Sequence, residues 1–269
     1  MYFSPEVPGA TPLVCVNGGL LFDHNLLWPA LAPLAERRQL ILYDQRGRGS
    51  SQVPPATHAA RIEHDAGDLP AIREAIGLSE WDLLGHSWGG GLAMLATERD
   101  RASVRRLVLV DSVGPVGNWQ GDLLRDALPR LAPGDRAILE RIDQQALLSP
   151  EPNVHSAYSR AMYSAWFADQ SLAAMFSPPR SESRTGAAVA ARLRGEGYDW
   201  TALLRAVSVP TLVIHGDRDL LPVSVAQSIV ATLRNARLEI IPDAGHMPYW
   251  ESPELFFTLI ESFLATPLA

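Results

Sequence analysis

The chain contains no lysine. All 23 of its basic residues are arginine, which removes a Schiff-base lysine, a phosphate-loop lysine and a serine–lysine pair from the chemistry open to it. It has a single cysteine, Cys15, so no internal disulfide can form. That residue sits in the apolar run Leu13 to Val16 and reads as a small buried hydrophobe. Positive charge is in deficit: 30 acidic residues against 23 basic give a net charge of −7 and a pI near 5.5. Nucleic acid is therefore not an expected partner, because phosphate binding needs clustered positive charge. No arginine precedes Arg37, so the charged start of a secretory signal is missing, and no apolar run nears the roughly 20 residues of a membrane helix. The expected setting is cytoplasmic, with no membrane partner. Also missing are H-E-x-x-H, C-x-x-C and G-x-x-x-x-G-K patterns. The histidines are scattered, and neither a metal nor another cofactor is expected.

What is present is 269 residues that are 47% hydrophobic and 20% charged, enough for one large domain or a core carrying an insertion. Short β-rich runs alternate with longer segments of helical period, the pattern of a mostly parallel, doubly wound α/β sheet. Strands are predicted over Pro12 to Val16, Gln39 to Tyr43, Trp81 to Leu84, Arg106 to Val110, Thr211 to His215 and Arg237 to Ile241. Helices are predicted over His24 to Glu36, His64 to Ile76, Gly90 to Arg101, Val223 to Arg234 and Pro253 to Leu264. From Val113 to Val207 the rhythm breaks: no β-like run occurs, and prolines stand at 115, 129, 133, 150, 152, 178 and 179. An inserted set of broken helices is expected there, residues 113–207, between core segments 1–112 and 208–269.

Gly85-His86-Ser87-Trp88-Gly89 follows the apolar run Trp81 to Leu84 and precedes a helical segment. A serine between glycines on a sharp strand-to-helix turn has a strained backbone that pushes its hydroxyl out of the sheet. Such a serine is a nucleophile elbow. A hydroxyl needs a base to react near neutrality, and with no lysine that base is a histidine.

The chain resembles the α/β-hydrolase superfamily with a helical cap, from about Pro12 to Leu264. Tyr43-Asp44-Gln45-Arg46-Gly47-Arg48-Gly49-Ser50-Ser51, with a tryptophan directly after the nucleophile, is similar to the proline iminopeptidase branch. Two features depart from that branch. It usually carries His-Gly-Gly-Pro-Gly where this chain has Asn17-Gly18-Gly19-Leu20-Leu21, and the 16 residues before that motif imply a shortened N-terminal strand region.

The resemblance implies a triad. His246, in Asp243-Ala244-Gly245-His246-Met247-Pro248, lies after the last predicted strand, where the family keeps its catalytic histidine. The family's acid stands three residues after the glycine of His215-Gly216-Asp217-Arg218-Asp219, which selects Asp219. Asp217 and Asp111 stay open as alternatives. Ser87, Asp219 and His246 then occur in the order this fold uses. His86 is discounted because neighbouring side chains on such a turn point apart, His215 reads as the end of a buried strand, and His24, His58, His64 and His155 read as surface or packing residues. One oxyanion donor is the Trp88 N–H after the nucleophile, and by resemblance the other is Gly19. The Asp44 to Ser51 loop reads as a structural loop rather than a phosphate site.

The expected activity is a cofactor-independent serine hydrolase that cleaves a carboxylic ester of a small, partly hydrophobic substrate through an acyl-enzyme. A proline iminopeptidase-like aminopeptidase and a non-catalytic ligand-binding relative are the alternatives. An aminopeptidase must bind a protonated amine, which calls for a carboxylate near Ser87. The inserted region offers Glu140, Asp143, Glu151, Asp169, Glu182, Glu196 and Asp199. Of its aromatic residues, Trp119, Tyr158, Tyr163, Trp166, Phe167, Phe176, Tyr198 and Trp200, two or three are expected to touch substrate.

Overall fold

The computed structural model describes residues 1–55, 60–119 and 123–267. Seven strands form one sheet: β1 (Tyr2–Phe3), β2 (Leu13–Val16), β3 (Leu40–Leu42), β4 (Trp81–His86), β5 (Val104–Val110), β6 (Thr211–Gly216) and β7 (Ala236–Ile241), in the spatial order β1-β3-β2-β4-β5-β6-β7. Every pairing is parallel except the two-residue β1, which runs antiparallel to β3. The six predicted strands are all present, and β1 is an addition that its two exposed residues did not announce.

Alternation along the strands explains the layers. Val14, Val16, Ile41, Leu83, Leu107, Leu109 and Val213 face one apolar core with α1 (Ile62–Ala75), α2 (Trp88–Arg99) and α9 (Val223–Thr232). Leu13, Cys15, Leu40, Leu42, Leu84, Val108, Val110, Leu212 and Ile214 face the other, with α11 (Pro253–Ala265). A central parallel sheet covered on both faces buries both sets, which is why its strands read as near-continuous apolar runs.

Between β5 and β6 lie α3 (Leu123–Ala127), α4 (Pro133–Arg141), α5 (Pro152–Met162), α6 (Gln170–Ala173), α7 (Arg184–Glu196) and α8 (Thr201–Leu204). Prolines open α4 and α5, where a missing N–H costs nothing. The short α10 (Pro248–Glu251) precedes α11. The continuous helix expected over His24 to Glu36 is replaced by two 3₁₀ turns, His24–Leu26 and Ala32–Glu36. Pro29 and Pro33 remove donors in that stretch, and an α-helix does not propagate through them. The predicted helix from Gly90 instead begins at Trp88. Among the described residues, no helix is long and apolar enough to cross a membrane.

Candidate active site

Ser87 lies between β4 and α2 with φ 56° and ψ −123°, a left-handed strain that a non-glycine residue adopts only where its surroundings enforce it. They do. Its N–H donates to Val110 at 2.9 Å, and its carbonyl accepts from Gly90 and Val113. The flanking glycines are needed for contact rather than flexibility: a Cβ on Gly89 would strike the Val16 carbonyl, and one on Gly85 would strike the Gly89 carbonyl. Gly18 brings the β2 turn against the elbow, since a Cβ there would lie 2.6 Å from both the Ser87 Cβ and the His86 carbonyl oxygen. Gly19 follows with φ 76°.

That turn is braced from the Asp44–Ser51 loop, as the structural reading of the loop expected. Gln45 Nε2 donates to the Asn17 carbonyl at 2.7 Å, and Arg48 Nε donates to the Leu20 carbonyl at 2.7 Å. Arg48 is itself held by Asp65 at 2.9 Å, both side chains buried. Asp44 accepts from the backbone of His24 and Ser50 and from the His24 ring.

His246 follows β7. Its Nδ1 stands 2.8 Å from Asp219 Oδ2, while Asp219 Oδ1 accepts the Leu221 N–H at 3.2 Å. Burial works against the Asp219 charge, but His246, His215 and the Leu221 N–H together hold its carboxyl below the ordinary range. Of the two alternatives, Asp217 is exposed and Asp111 is fully buried beneath the pair. Asp111 Oδ1 accepts the Gly216 N–H at 2.8 Å. Burial, with the Asp219 charge beside it, drives the Asp111 carboxyl well above the usual carboxylate value, so the two neighbouring acids are shifted in opposite directions. The structure brings Asp219, and neither alternative, into hydrogen-bond contact with His246.

Three supports of His246 carried no sequence signal. Its N–H donates to the Trp166 carbonyl at 2.8 Å, and the Trp166 ring lies against the imidazole with centroids 4.4 Å apart. His86 donates from Nε2 to the His246 carbonyl at 2.8 Å. Burial, reinforced by the nearby His246, lowers the His86 pKa to about 3, so it stays neutral. Glu251 accepts from the N–H groups of Gly245 and Ala168, tying the histidine loop to the segment after Trp166. His215 ends β6 fully buried, as expected, and donates to the Leu221 carbonyl. His155 is buried against the Ser149 carbonyl. His58 lies outside the described residues.

Ser87, Trp88, Gly19 and His246 line one cavity of about 110 Å³. Its walls are mainly apolar: Leu20, Leu21, Phe22, Leu26, Leu123, Met162 and Leu193 among others. Of the eight aromatic candidates, Trp119, Tyr158, Tyr163 and Trp166 line it. Phe167, Phe176, Tyr198 and Trp200 pack elsewhere. All seven acids singled out in this region are exposed, and among the described residues no carboxylate lines the cavity.

Two clusters have ligand-type atoms within 4.8 Å: Asp23, His24, Asp44 and Asp111, His215, Asp219. Protein groups already hold most of their atoms, Asp111 Oδ2 and His215 Nδ1 being the two buried atoms without a hydrogen-bond partner. Asp23 caps Asn25 and Asp44 holds His24 and Ser50. In the second cluster Asp219 serves His246 and Leu221, and His215 Nε2 serves Leu221.

A family model described as alpha/beta hydrolase fold matches residues 11–253. The chain is 30% identical over 280 residues to the proline iminopeptidase of Lactobacillus delbrueckii subsp. bulgaricus, covering 96% of this chain and 91% of that protein. It is 31% identical over 237 residues to the 2-hydroxymuconate semialdehyde hydrolase of Pseudomonas putida, covering 86% and 78%. A solved thermophilic esterase from Thermogutta terrifontis superposes with a TM-score of 0.67 at 27% identity, covering 98% and 92%.

Proposed function

Because the chain belongs to the α/β-hydrolase fold family and is a hydrolase, we propose that it is a serine hydrolase cleaving a carboxylic ester with a hydrophobic moiety, through an acyl-enzyme at Ser87. His246, with Nδ1 held by Asp219, takes the Ser87 proton at Nε2 as the hydroxyl oxygen attacks the ester carbonyl. The resulting oxyanion is met by the N–H groups of Trp88 and Gly19, the first lying at the N-terminus of α2 where unpaired N–H groups and the helix dipole favour negative charge. Collapse of the tetrahedral intermediate breaks the bond to the alcohol oxygen, which leaves with the proton from His246. A second acceptor, water or another alcohol, then gives its proton to His246 and releases the acyl group. Residues 113–207 form a helical cap over this site in the same reading.

The observation that carries the choice of ester is the absence of any carboxylate among the described residues lining the cavity. A protonated substrate amine entering an apolar site without a counter-charge bears an uncompensated desolvation cost, whereas an ester needs only an apolar wall. The second reading, a proline iminopeptidase-like aminopeptidase, is favoured by the relative at 30% identity.

Fluorophosphonate labelling of wild type but not Ser87→Ala supports the covalent mechanism; no labelling supports a ligand-binding relative instead. A p-nitrophenyl ester series run beside proline naphthylamide decides the substrate. Efficient arylamide cleavage with slow ester turnover overturns the ester reading.

A further inference from the structure

Among the described residues, the cavity lining holds one arginine and no carboxylate. Among its described lining residues Arg194 is the only arginine, and the other titratable groups there are the histidines 86, 155 and 246 and the tyrosines 158 and 163. Arg194 is half-buried, so its guanidinium keeps part of its hydration while it faces an otherwise apolar wall, a placement that a charged ligand in the cavity would complement.

Its position is specified by the helix. Ala187, Ala190, Ala191 and Arg194 follow the i, i+3, i+4, i+7 spacing of one face of α7, and the three alanines are buried. Arg192, on a different face, makes the solvent-side ion pair with Glu196 at 3.0 Å. Arg194 thus continues an apolar stripe rather than the charged one. The start of α7 is docked on the core. Ser183 caps it by accepting the Gly186 N–H at 2.8 Å and donates to the Gly47 carbonyl at 2.7 Å, and a Cβ on Gly186 would strike the Leu20 carbonyl. The helix that carries Arg194 is therefore fixed against the same turn that presents Gly19.

At the cavity the guanidinium carbon of Arg194 lies 4.9 Å from the centroid of the Tyr158 ring. Tyr158 holds one face of the cation without neutralising it. His155 and Ser159, one helical turn apart on α5, line the same cavity, and His155 is buried, its pKa lowered by burial, held back by the Ser149 carbonyl and lowered further by the Arg194 charge. Among the described residues, no carboxylate lies within ion-pair distance of Arg194. The fork of donors is available to a ligand, and a planar carboxylate is the group that matches it.

We propose that Arg194, backed by Tyr158, is a substrate-carboxylate site, so that the natural substrate is an ester or lactone bearing a second, free carboxylate at the end remote from the scissile bond. This rests on the ester reading of Ser87 given above. Arg194 binds and orients the anion and takes no part in proton transfer. The same charge disfavours a protonated amine in the cavity, which links the substrate's sign to one residue.

The test compares monomethyl esters of the C4 to C7 dicarboxylic acids with their dimethyl diesters, measured as kcat/KM by pH-stat at low ionic strength. Wild type is expected to prefer the half-ester by tenfold or more at its best chain length, and the preference should shrink at 0.5 M salt because Arg194 is partly exposed. In Arg194→Met the ratio of half-ester to diester should fall to about one. Arg194→Lys should restore part of it, and Arg194→Glu should invert it; the ratio is internal to each variant, so a change in the amount of folded enzyme does not mimic the effect. Should Arg194→Met not fold, Arg194→Gln gives the same reading. A wild-type ratio of one or less, or a ratio that survives Arg194→Met, overturns the anion site while leaving the ester reading intact. No turnover of any ester by wild type overturns both.

Discussion

Replacing Asp219 by asparagine separates the acid in contact with His246 from the acid beneath it, and the hydrogen bonds dictate the result. Aspartate presents two acceptors; asparagine presents one acceptor and one donor. Asp219 Oδ1 accepts from Leu221 N–H, and Oδ2 faces His246 Nδ1. If the asparagine oxygen stays opposite Leu221, its NH₂ donates to Nδ1 and drives the ring proton to Nε2, the nitrogen that must receive the proton of Ser87. The flipped amide sets two donors against each other at Leu221, and a buried donor left unpaired costs about 1–3 kcal/mol. Either way the productive tautomer is scarce, and a fall of about 10⁴ in kcat is expected, equivalent to roughly 5 kcal/mol of barrier.

Asp111→Asn is the matched control. Burial and the adjacent Asp219 charge push that carboxyl well above the usual range, and the Oδ1 that accepts the Gly216 N–H, with His215 Nδ1 3.5 Å away, is replaced by an asparagine oxygen of the same shape. Its activity should stay within about tenfold of wild type, roughly 1.4 kcal/mol. The assay is kcat/KM for p-nitrophenyl butyrate near pH 7.5, with folding checked by circular dichroism. The reasoning is refuted if Asp111→Asn falls as far as Asp219→Asn, or if Asp219→Asn remains within tenfold of wild type.

Three further expectations follow from the same contacts. His86 stays neutral in the fold down to about pH 3, whereas the unfolded chain protonates it near 6.5; unfolding therefore takes up a proton, and stability is lost as pH falls through that window. Relative to His86→Asn, wild type should lose stability by about 1.4 kcal/mol per pH unit between pH 6 and 4, read from urea melts, and a difference between the two proteins that does not change with pH contradicts this. Gly89→Ala forces a Cβ into the Val16 carbonyl and should cost about 1–3 kcal/mol or more, with loss of activity, whereas Gly195→Ala, whose Cβ meets nothing within 4 Å, should be neutral or stabilising by up to about 1 kcal/mol; equal shifts in melting temperature would be inconsistent with that contrast. Asp65→Asn leaves the buried Arg48 without its counter-charge and should cost about 3–5 kcal/mol, measurable in the same melts, with ester turnover falling further than the folded fraction because Arg48 also holds the Leu20 carbonyl beside Gly19.

What the sequence made legible was the part of the molecule governed by local rules. Six strands were readable because a parallel sheet buried on both faces forces contiguous apolar runs, and the elbow was readable because Gly85 and Gly89 are both demanded by backbone carbonyls that admit no Cβ. The 3₁₀ turns at His24–Leu26 and Ala32–Glu36 were missed by giving helical period more weight than Pro29 and Pro33, which were visible. The choice among Asp111, Asp217 and Asp219 rested on the resemblance, because all three follow strands that end at the same edge of the sheet; of the three, the structure puts Asp219 in contact with His246, at 2.8 Å, and the Asp111 carboxyl is shifted the opposite way from that of Asp219.

The supports of His246 belong to a different class. Trp166, His86 and Glu251 act through a backbone carbonyl, a buried ring nitrogen and a carboxylate reaching N–H groups in two separate loops. Such contacts join residues up to 160 positions apart and impose no periodicity on either partner. Arg194 differs again, because its signal was present: an arginine at the i+7 position of the stripe begun by Ala187, while Arg192 served the solvent face. A half-buried charge on the apolar side of an amphipathic helix is met by solvent, by a charged ligand or by a protein counter-ion. In this cavity the described residues supply none, so the sequence irregularity and the substrate's charge become one question, which the half-ester ratio answers.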